Sequence, residues 1–232
     1  MVKIFVSGLT AAGKTTHTKL LASEYNLQYV SAFDVLLKRA NINIENVSKD
    51  FWVSSASASL RSLRAKDQSI DKWVDQQMIS AAATLDNVIF DSWGLPWLSS
   101  ELGLRIWIES SVSSRWWKAI ISQGINSNID PDTTLREMNN KDNFTRKYFL
   151  KNYGFDLFSK HDDFDYVIDI TDFITSPTVE ASYKSIKNAQ KILSSIVKYY
   201  IKPDGEGLDT LKYEIDKYGQ KVFQKVKPLG CI

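Results

Sequence analysis

The chain has 232 residues, 44% hydrophobic and 24% charged, enough to bury a core without disulfide or metal staples. Ten Gly and five Pro exclude a collagen-like or linker-dominated chain. A formal charge of +2, from 29 basic and 27 acidic side chains, is too small to supply the phosphate contacts of bulk nucleic-acid binding.

Residues 2–7 form a short apolar run rich in β-branched side chains and predict a strand. A glycine loop follows, and then Leu20, Leu21 and Tyr25 at helical spacing. Further strands are predicted at 28–31, 87–91, 104–108 and 165–170. The Ser-rich stretch 53–63 reads as a loop leading into a helix that carries Arg61 and Arg64. Residues 70–85 place Ile70, Trp73, Val74, Met78 and Ala81 on one helical face, and 111–123 do the same with Val112, Trp116, Ala119 and Ile120. Asp130 as N-cap, Pro131 at the first helical position and Gly154 as terminator predict one helix or a broken pair over 130–154. A helix runs from Pro177 to about residue 200, a break follows at 203–207, and an amphipathic helix is predicted over 208–226. Strands alternating with helices predict parallel crossovers and an α/β sheet covered on both faces.

Gly8-Leu-Thr-Ala-Ala-Gly13-Lys14-Thr15 has two glycines separated by four residues, then Lys and Thr, between a strand and a helix. In that context it reads as a phosphate loop. Gly8 and Gly13 let the backbone curl, so that the amides of Ala11, Ala12, Gly13 and the residues up to Thr16 point inward, with the helix N-terminus behind them. Lys14 is expected to reach the β- and γ-phosphates of ATP, Thr15 to ligate Mg²⁺, and Thr16 to contact a neighbouring phosphate. Asp91, at the end of an apolar strand, has two readings: a carboxylate that holds a Mg²⁺-bound water, or a turn or helix cap.

Residues 1 to about 175 resemble the short, archaeal-type cytidylate kinases, a branch of the nucleoside monophosphate kinases within the P-loop proteins. The landmarks occur in order: Gly8 to Thr16; Tyr29-Val-Ser-Ala32; Ile70-Asp71; Asn87 to Trp97; Arg115; Tyr153-Gly-Phe-Asp156; and Asp165 to Asp169. The resemblance implies a three-layer α/β/α fold with a five-stranded parallel sheet, a helical monophosphate-binding insert at about 32–70 and a lid at about 115–150. The kinase-like domain would then span 1–202, with a C-terminal helical extension at 203–232. It also implies transfer of the γ-phosphoryl of ATP·Mg²⁺ to a nucleoside monophosphate, CMP or dCMP, in the cytoplasm. Arg115 and Arg146 would stabilise the transferred group, and Ser31, Asp34 and Asp71 would line the acceptor side; Arg61, Arg64 and Trp93 are further candidates for that side, read from the residues and not from the resemblance.

The chain departs from the family pattern in its arginines, of which there are seven: Arg39, Arg61, Arg64, Arg105, Arg115, Arg136 and Arg146. Leu37, Ser92-Trp93, Lys118 and Ser122-Gln123 stand where similar kinases carry basic or acidic-basic residues. Arg61 and Arg64, three apart, either rebuild the acceptor clamp or form a solvated face. Two other readings are therefore open. One is a P-loop ATP-binding protein that has lost the transfer and acts through a partner, with 203–232 as docking or self-association element. The other is a kinase for a different small-molecule acceptor, with Asp91 as base.

The remaining features carry less. Trp93 either stacks on an acceptor base or packs in the core; the core is the expectation for Trp97. His17 reads as structural, the loop of His161, Asp162, Asp163 and Asp165 as polar and not metal-binding, and Lys184, Lys187, Lys191 and Lys198 as a solvated face. One cysteine, Cys231, excludes an internal disulfide and fits a reducing compartment. The opening apolar run is too short for a signal peptide, and no stretch approaches the ~20 apolar residues of a membrane span.

Overall fold

In the computed structural model, which describes residues 1–43, 47, 51, 55–124, 130–159 and 161–228, the sheet is built outward from β1 (Lys3–Ser7), all five residues of which are buried. Ile4 and Val6 face one layer and Phe5 the other, which is why the strand reads as a continuous apolar run. Parts of the expected insert (44–46, 48–50 and 52–54) and Cys231 lie outside the described residues.

The chain continues through α1 (Lys14–Glu24), β2 (Gln28–Ser31), α2 (Ala32–Arg39), α3 (Ser55–Lys66), α4 (Ser69–Thr84), β3 (Val88–Asp91) and the short α5 (Leu95–Leu98). Then come β4 (Leu104–Glu109), α6 (Val112–Gln123), α7 (Pro131–Tyr153), β5 (Tyr166–Asp169), α8 (Val179–Ile201), α9 (Gly205–Val222) and β6 (Phe223–Val226). The strand order is β2-β3-β1-β4-β5-β6. The first five are parallel, as expected; β6 adds an antiparallel edge to β5, pairing Val226 with Tyr166.

That sixth strand corrects the reading of 208–226 as one helix. The backbone turns at Gly219 (φ +57°, ψ −160°), and the residues after Val222 pair with β5 instead of continuing the helix. Leu211, Val222 and Phe223 are buried in the same core as Ile4, Val6 and Ile106, so this segment's apolar face is spent on the fold. The Ser-rich stretch is likewise helical from Ser55 onward, not a loop. Alternating Ala offsets the weaker helix preference of Ser, and Leu60 anchors the turn in the core.

The layer of α1, α8 and α9 covers one face of the sheet, and α2, α3, α4 and α5 cover the other. α7 is one uninterrupted helix. Asp130 accepts from the Thr133 amide at 3.0 Å, Pro131 takes the first position, and Gly154 (φ +75°) ends it by donating to Phe149 and Leu150 carbonyls. Chain order reverses around β1, and the carboxyl ends of β1 and β3 open a crevice there, the place where ligands bind in open α/β sheets. No helix among the described residues is long and apolar enough to cross a membrane.

Candidate active site

After β1 the chain turns at Gly8, whose φ of +149° and close approach to β4 leave no room for a side chain: a Cβ would sit 2.5 Å from the Ile108 carbonyl oxygen. Ala11 (φ +61°) and Gly13 (φ +110°) complete a curled loop that delivers the chain into α1. Residues Thr10 to Thr16 of this loop form one wall of a cleft of about 700 Å³. Open amides at a helix start beside such a curl make an anion site.

Lys14 lies inside the cleft, with Nζ donating to the Leu9 carbonyl at 2.8 Å. Burial lowers its pKa to about 8, against the attraction of Asp91 and Asp142. Thr15 Oγ1 donates to Asp91 Oδ2 at 2.5 Å, and the Tyr29 hydroxyl donates to the same oxygen at 3.1 Å. Asp91 sits at the carboxyl end of β3, in register with Val6 of β1 and Ser31 of β2. A hydroxyl and a carboxylate side by side suit a hard cation that keeps water and phosphate oxygens in the rest of its shell. The described residues contain no group of three or more His, Cys, Asp or Glu that would cage a metal by themselves.

The same cleft is lined by the expected acceptor residues. Ser31 caps α2 by accepting from the Asp34 amide at 3.3 Å, and burial raises the Asp34 carboxyl above its usual range. Arg64 Nε donates to Asp71 Oδ1 at 2.7 Å in a buried pair. Asp71 Oδ2 is also buried and finds no hydrogen-bond partner among the described residues. Arg61 is paired with Glu137 and donates to Ser57 Oγ at 3.1 Å. Asp75, one turn beyond Asp71, accepts from the Tyr148 and Tyr153 hydroxyls at 2.7 and 2.9 Å, and burial raises it to about 6. Ser31, Asp34, Arg61, Arg64, Asp71 and Trp93 all line the one cleft.

Two expected catalytic arginines stand elsewhere. Arg115 is buried outside the cleft lining, donating to the Thr10 carbonyl at 3.0 Å and to Asp142 Oδ2 at 2.6 Å. The other oxygen of Asp142 accepts from the Thr10 amide at 2.9 Å. Arg115 therefore ties the loop backbone to α7. Arg146 grips Asp156 through Nε and NH2 at 2.8 and 2.5 Å and lies over the Phe158 ring. The cleft-facing side of α7 carries Met138, Lys141, Thr145 and Tyr148, and a residue next to Thr145 is rotated about 100° away from it. Arg146→Gln is accordingly expected to leave kcat within about twofold of the parent, the effect of losing a surface ion pair, measured by steady-state phosphoryl transfer.

Lys118 occupies the aligned lid position and does face the cleft. Its ammonium donates to Ser110 Oγ at 3.0 Å and approaches the Ala12 carbonyl at 3.4 Å, and burial, with Arg115 nearby, lowers its pKa to about 8. His17 lies behind Gly13 with Nδ1 3.1 Å from Gln190 Oε1; burial lowers it to about 4, so it is neutral and packs as a structural group. Trp97 is a core residue, stacked on Phe155 at 4.8 Å.

Sequence reasoning missed Tyr29, Asp75, Glu137, Lys141 and Asp142. The signal for Lys141 was present: it shares one face of α7 with Met138, Thr145 and Tyr148, at successive spacings of three, four and three residues.

The profile of the cytidylate kinase-like family matches residues 3–172. Over 160 residues the chain is 31% identical to a cytidylate kinase of Sulfolobus acidocaldarius, covering 67% of this chain and 79% of that protein. It is 25% identical over 202 residues to a cytidylate kinase of Desulfurococcus amylolyticus, covering 85% and 96%. Among solved structures, an uncharacterised protein from Eubacterium ventriosum shares the fold with a TM-score of 0.54 and 16% identity, over 87% of this chain and 99% of that one.

Proposed function

The chain belongs to the cytidylate kinase-like family and is a nucleotide kinase, and from that premise we propose that it transfers the γ-phosphoryl of ATP to a nucleoside monophosphate, CMP or dCMP. One observation supports this reading: a single cleft is lined both by the phosphate loop and by a buried Arg64–Asp71 pair with a carboxylate oxygen that has no partner among the described residues. A buried acceptor with no donor favours a ligand that brings one, such as the exocyclic amine of cytosine.

The loop amides and Lys14 would hold the donor phosphates, and Thr15 with Asp91 would hold Mg²⁺. Bound there, the ion supplies neutralisation of phosphate charge. Arg115 keeps the loop in shape by holding the Thr10 carbonyl. Lys118, on α6, brings a further cation to the donor wall. In the transfer, an acceptor-phosphate oxygen bonds to the γ-phosphorus while the β–γ bridging bond breaks, its electron pair staying on ADP. The protein contributes position and charge more than covalent chemistry.

A second reading has its own support. Arg61 and Arg64 are both already matched by carboxylates, Glu137 and Asp71, which weakens their pull on an acceptor phosphate and favours a hydroxyl acceptor. ADP release in a coupled assay separates the two. Turnover with CMP or dCMP at least about tenfold above UMP is expected, given the worth of one buried hydrogen bond to a base. Turnover only with nucleosides would favour the second reading, and none with CMP, dCMP, UMP, AMP or GMP would overturn the first.

A further inference from the structure

Tyr29 reaches the site from β2, outside both the phosphate loop and the strand that carries Asp91. Its hydroxyl donates to Asp91 Oδ2 at 3.1 Å, the same oxygen that takes the Thr15 hydroxyl at 2.5 Å. We propose that Tyr29 is a positioning residue for the metal ion: it fixes Asp91 so that this carboxylate and the Thr15 hydroxyl present oxygen to one hard cation together. The proposal rests on the kinase reading above and deepens it, since neither the phosphate-loop motif nor the landmark that begins at Tyr29 gives this residue a role.

The need for such a group follows from what Thr15 has to do. A hydroxyl has one hydrogen to give and two lone pairs, so Thr15 serves a cation with a lone pair while its hydrogen stays on Asp91. That single bond would then be the carboxylate's only restraint, and it comes from a side chain whose own orientation the ion also claims. A second donor that takes no part in binding the ion removes the conflict, because it holds the carboxylate in either case. Both donors meet Oδ2, and among the described residues no hydrogen bond engages Oδ1. The carboxylate thus keeps one oxygen for the shell of a cation that retains water.

The sheet explains why this donor is a tyrosine. Parallel pairing sets Ser31 opposite Asp91, and Tyr29, two residues earlier, shares the Ser31 face about 6–7 Å back along the strand. A phenol spans that distance; a serine or threonine hydroxyl does not. The ring itself is held on two sides. It packs against the core layer that contains Val6, Leu21 and Ile89, and the Lys19 ammonium of α1 lies over it, 5.3 Å from the centroid. The helix that carries Thr15 therefore also restrains the ring that holds Asp91.

The test uses the full chain with Tyr29→Phe, which keeps the ring and removes only the hydroxyl. Calorimetric affinity for ADP is measured with and without Mn²⁺, beside a thermal melt and steady-state transfer from ATP to CMP over a range of Mg²⁺. The metal-free Kd for ADP is expected to stay within about twofold of the parent, because the loop amides are untouched. The factor by which Mn²⁺ tightens ADP is expected to fall about tenfold, the lower end of the loss when a partner of a metal-holding group is removed. Transfer is expected to fall about tenfold at limiting Mg²⁺ and to recover to within about twofold at saturating Mg²⁺, with the KM for CMP unchanged. A merely structural tyrosine would instead lower the thermal midpoint and weaken ADP with and without metal alike. A tyrosine that touches the acceptor would raise the KM for CMP and leave the Mn²⁺ factor as in the parent. Either result would overturn the proposal. If Mn²⁺ leaves the parent's own ADP affinity unchanged, the metal reading of Thr15 and Asp91 falls and the proposal falls with it. If the parent tightens ADP with Mn²⁺ yet transfers to no monophosphate, the function proposed above falls, and the calorimetric comparison alone decides the role of Tyr29.

Discussion

Lys14→Met is expected to reduce phosphoryl transfer by about 10³-fold or more, as for loss of a preorganised charge at the reacting phosphates, without unfolding the protein. The two halves of that expectation have separate causes. Catalysis suffers because the ammonium is the one charged side chain of the loop, on the wall where Thr10 to Thr16 meet the cleft. Stability does not suffer, because burial already works against this charge and lowers its pKa to about 8. A methionine of similar length fills the same space without the desolvation cost. The sign follows: a lysine whose folded pKa lies below its unfolded value costs stability wherever it must stay protonated, and that cost fades as pH rises through about 8 toward the unfolded value. Steady-state transfer and thermal unfolding at pH 7 check both halves. Activity within tenfold of the parent, or a thermal midpoint well below it, would contradict the account.

The second large effect falls on the fold. Arg115→Met is expected to cost about 3–5 kcal/mol of stability, the usual penalty for stranding one partner of a buried ion pair. The pair is buried on both sides, with side-chain exposures of 4% for Arg115 and 5% for Asp142. The same substitution removes the donor to the Thr10 carbonyl, so the loop loses its tie to α6 as well. Changing both partners, Arg115→Met with Asp142→Leu, leaves no uncompensated charge and is expected to recover much of the loss. Denaturant unfolding of the two single variants and the double variant supplies the cycle. A cost below about 1 kcal/mol for Arg115→Met would place the pair among weak, solvated bridges.

What the sequence made legible was local. The strand, loop and first helix were written in consecutive residues, and so were the Asp130–Pro131 start and Gly154 stop of α7. Asp91 could be placed because it terminates an apolar run that must be a strand. What the sequence could not show depends on contacts made elsewhere in the fold. The ion pair of Arg115 with Asp142, 27 residues on, is invisible in the sequence. So is the helical face of α7 that lines the cleft, which carries Met138, Lys141, Thr145 and Tyr148, while Arg146 pairs with Asp156. Residues 223–226 continue a helical pattern in isolation, and only the open edge of β5 turns them into a strand. The sequence motif marks the phosphate loop because its chemistry needs a contiguous segment; the rest of the cleft lining is assembled from α2, α3, α4 and α7, and no single segment spells it out.

α7 is a single helix of 23 residues, about 34 Å long. Near its middle Asp142 meets the Thr10 amide, and toward its end Tyr148 and Tyr153 meet Asp75. One stiff helix is thereby fastened both to the phosphate loop and, through Asp75, to α4, so the spacing between the loop and α4 is set by a single rigid body.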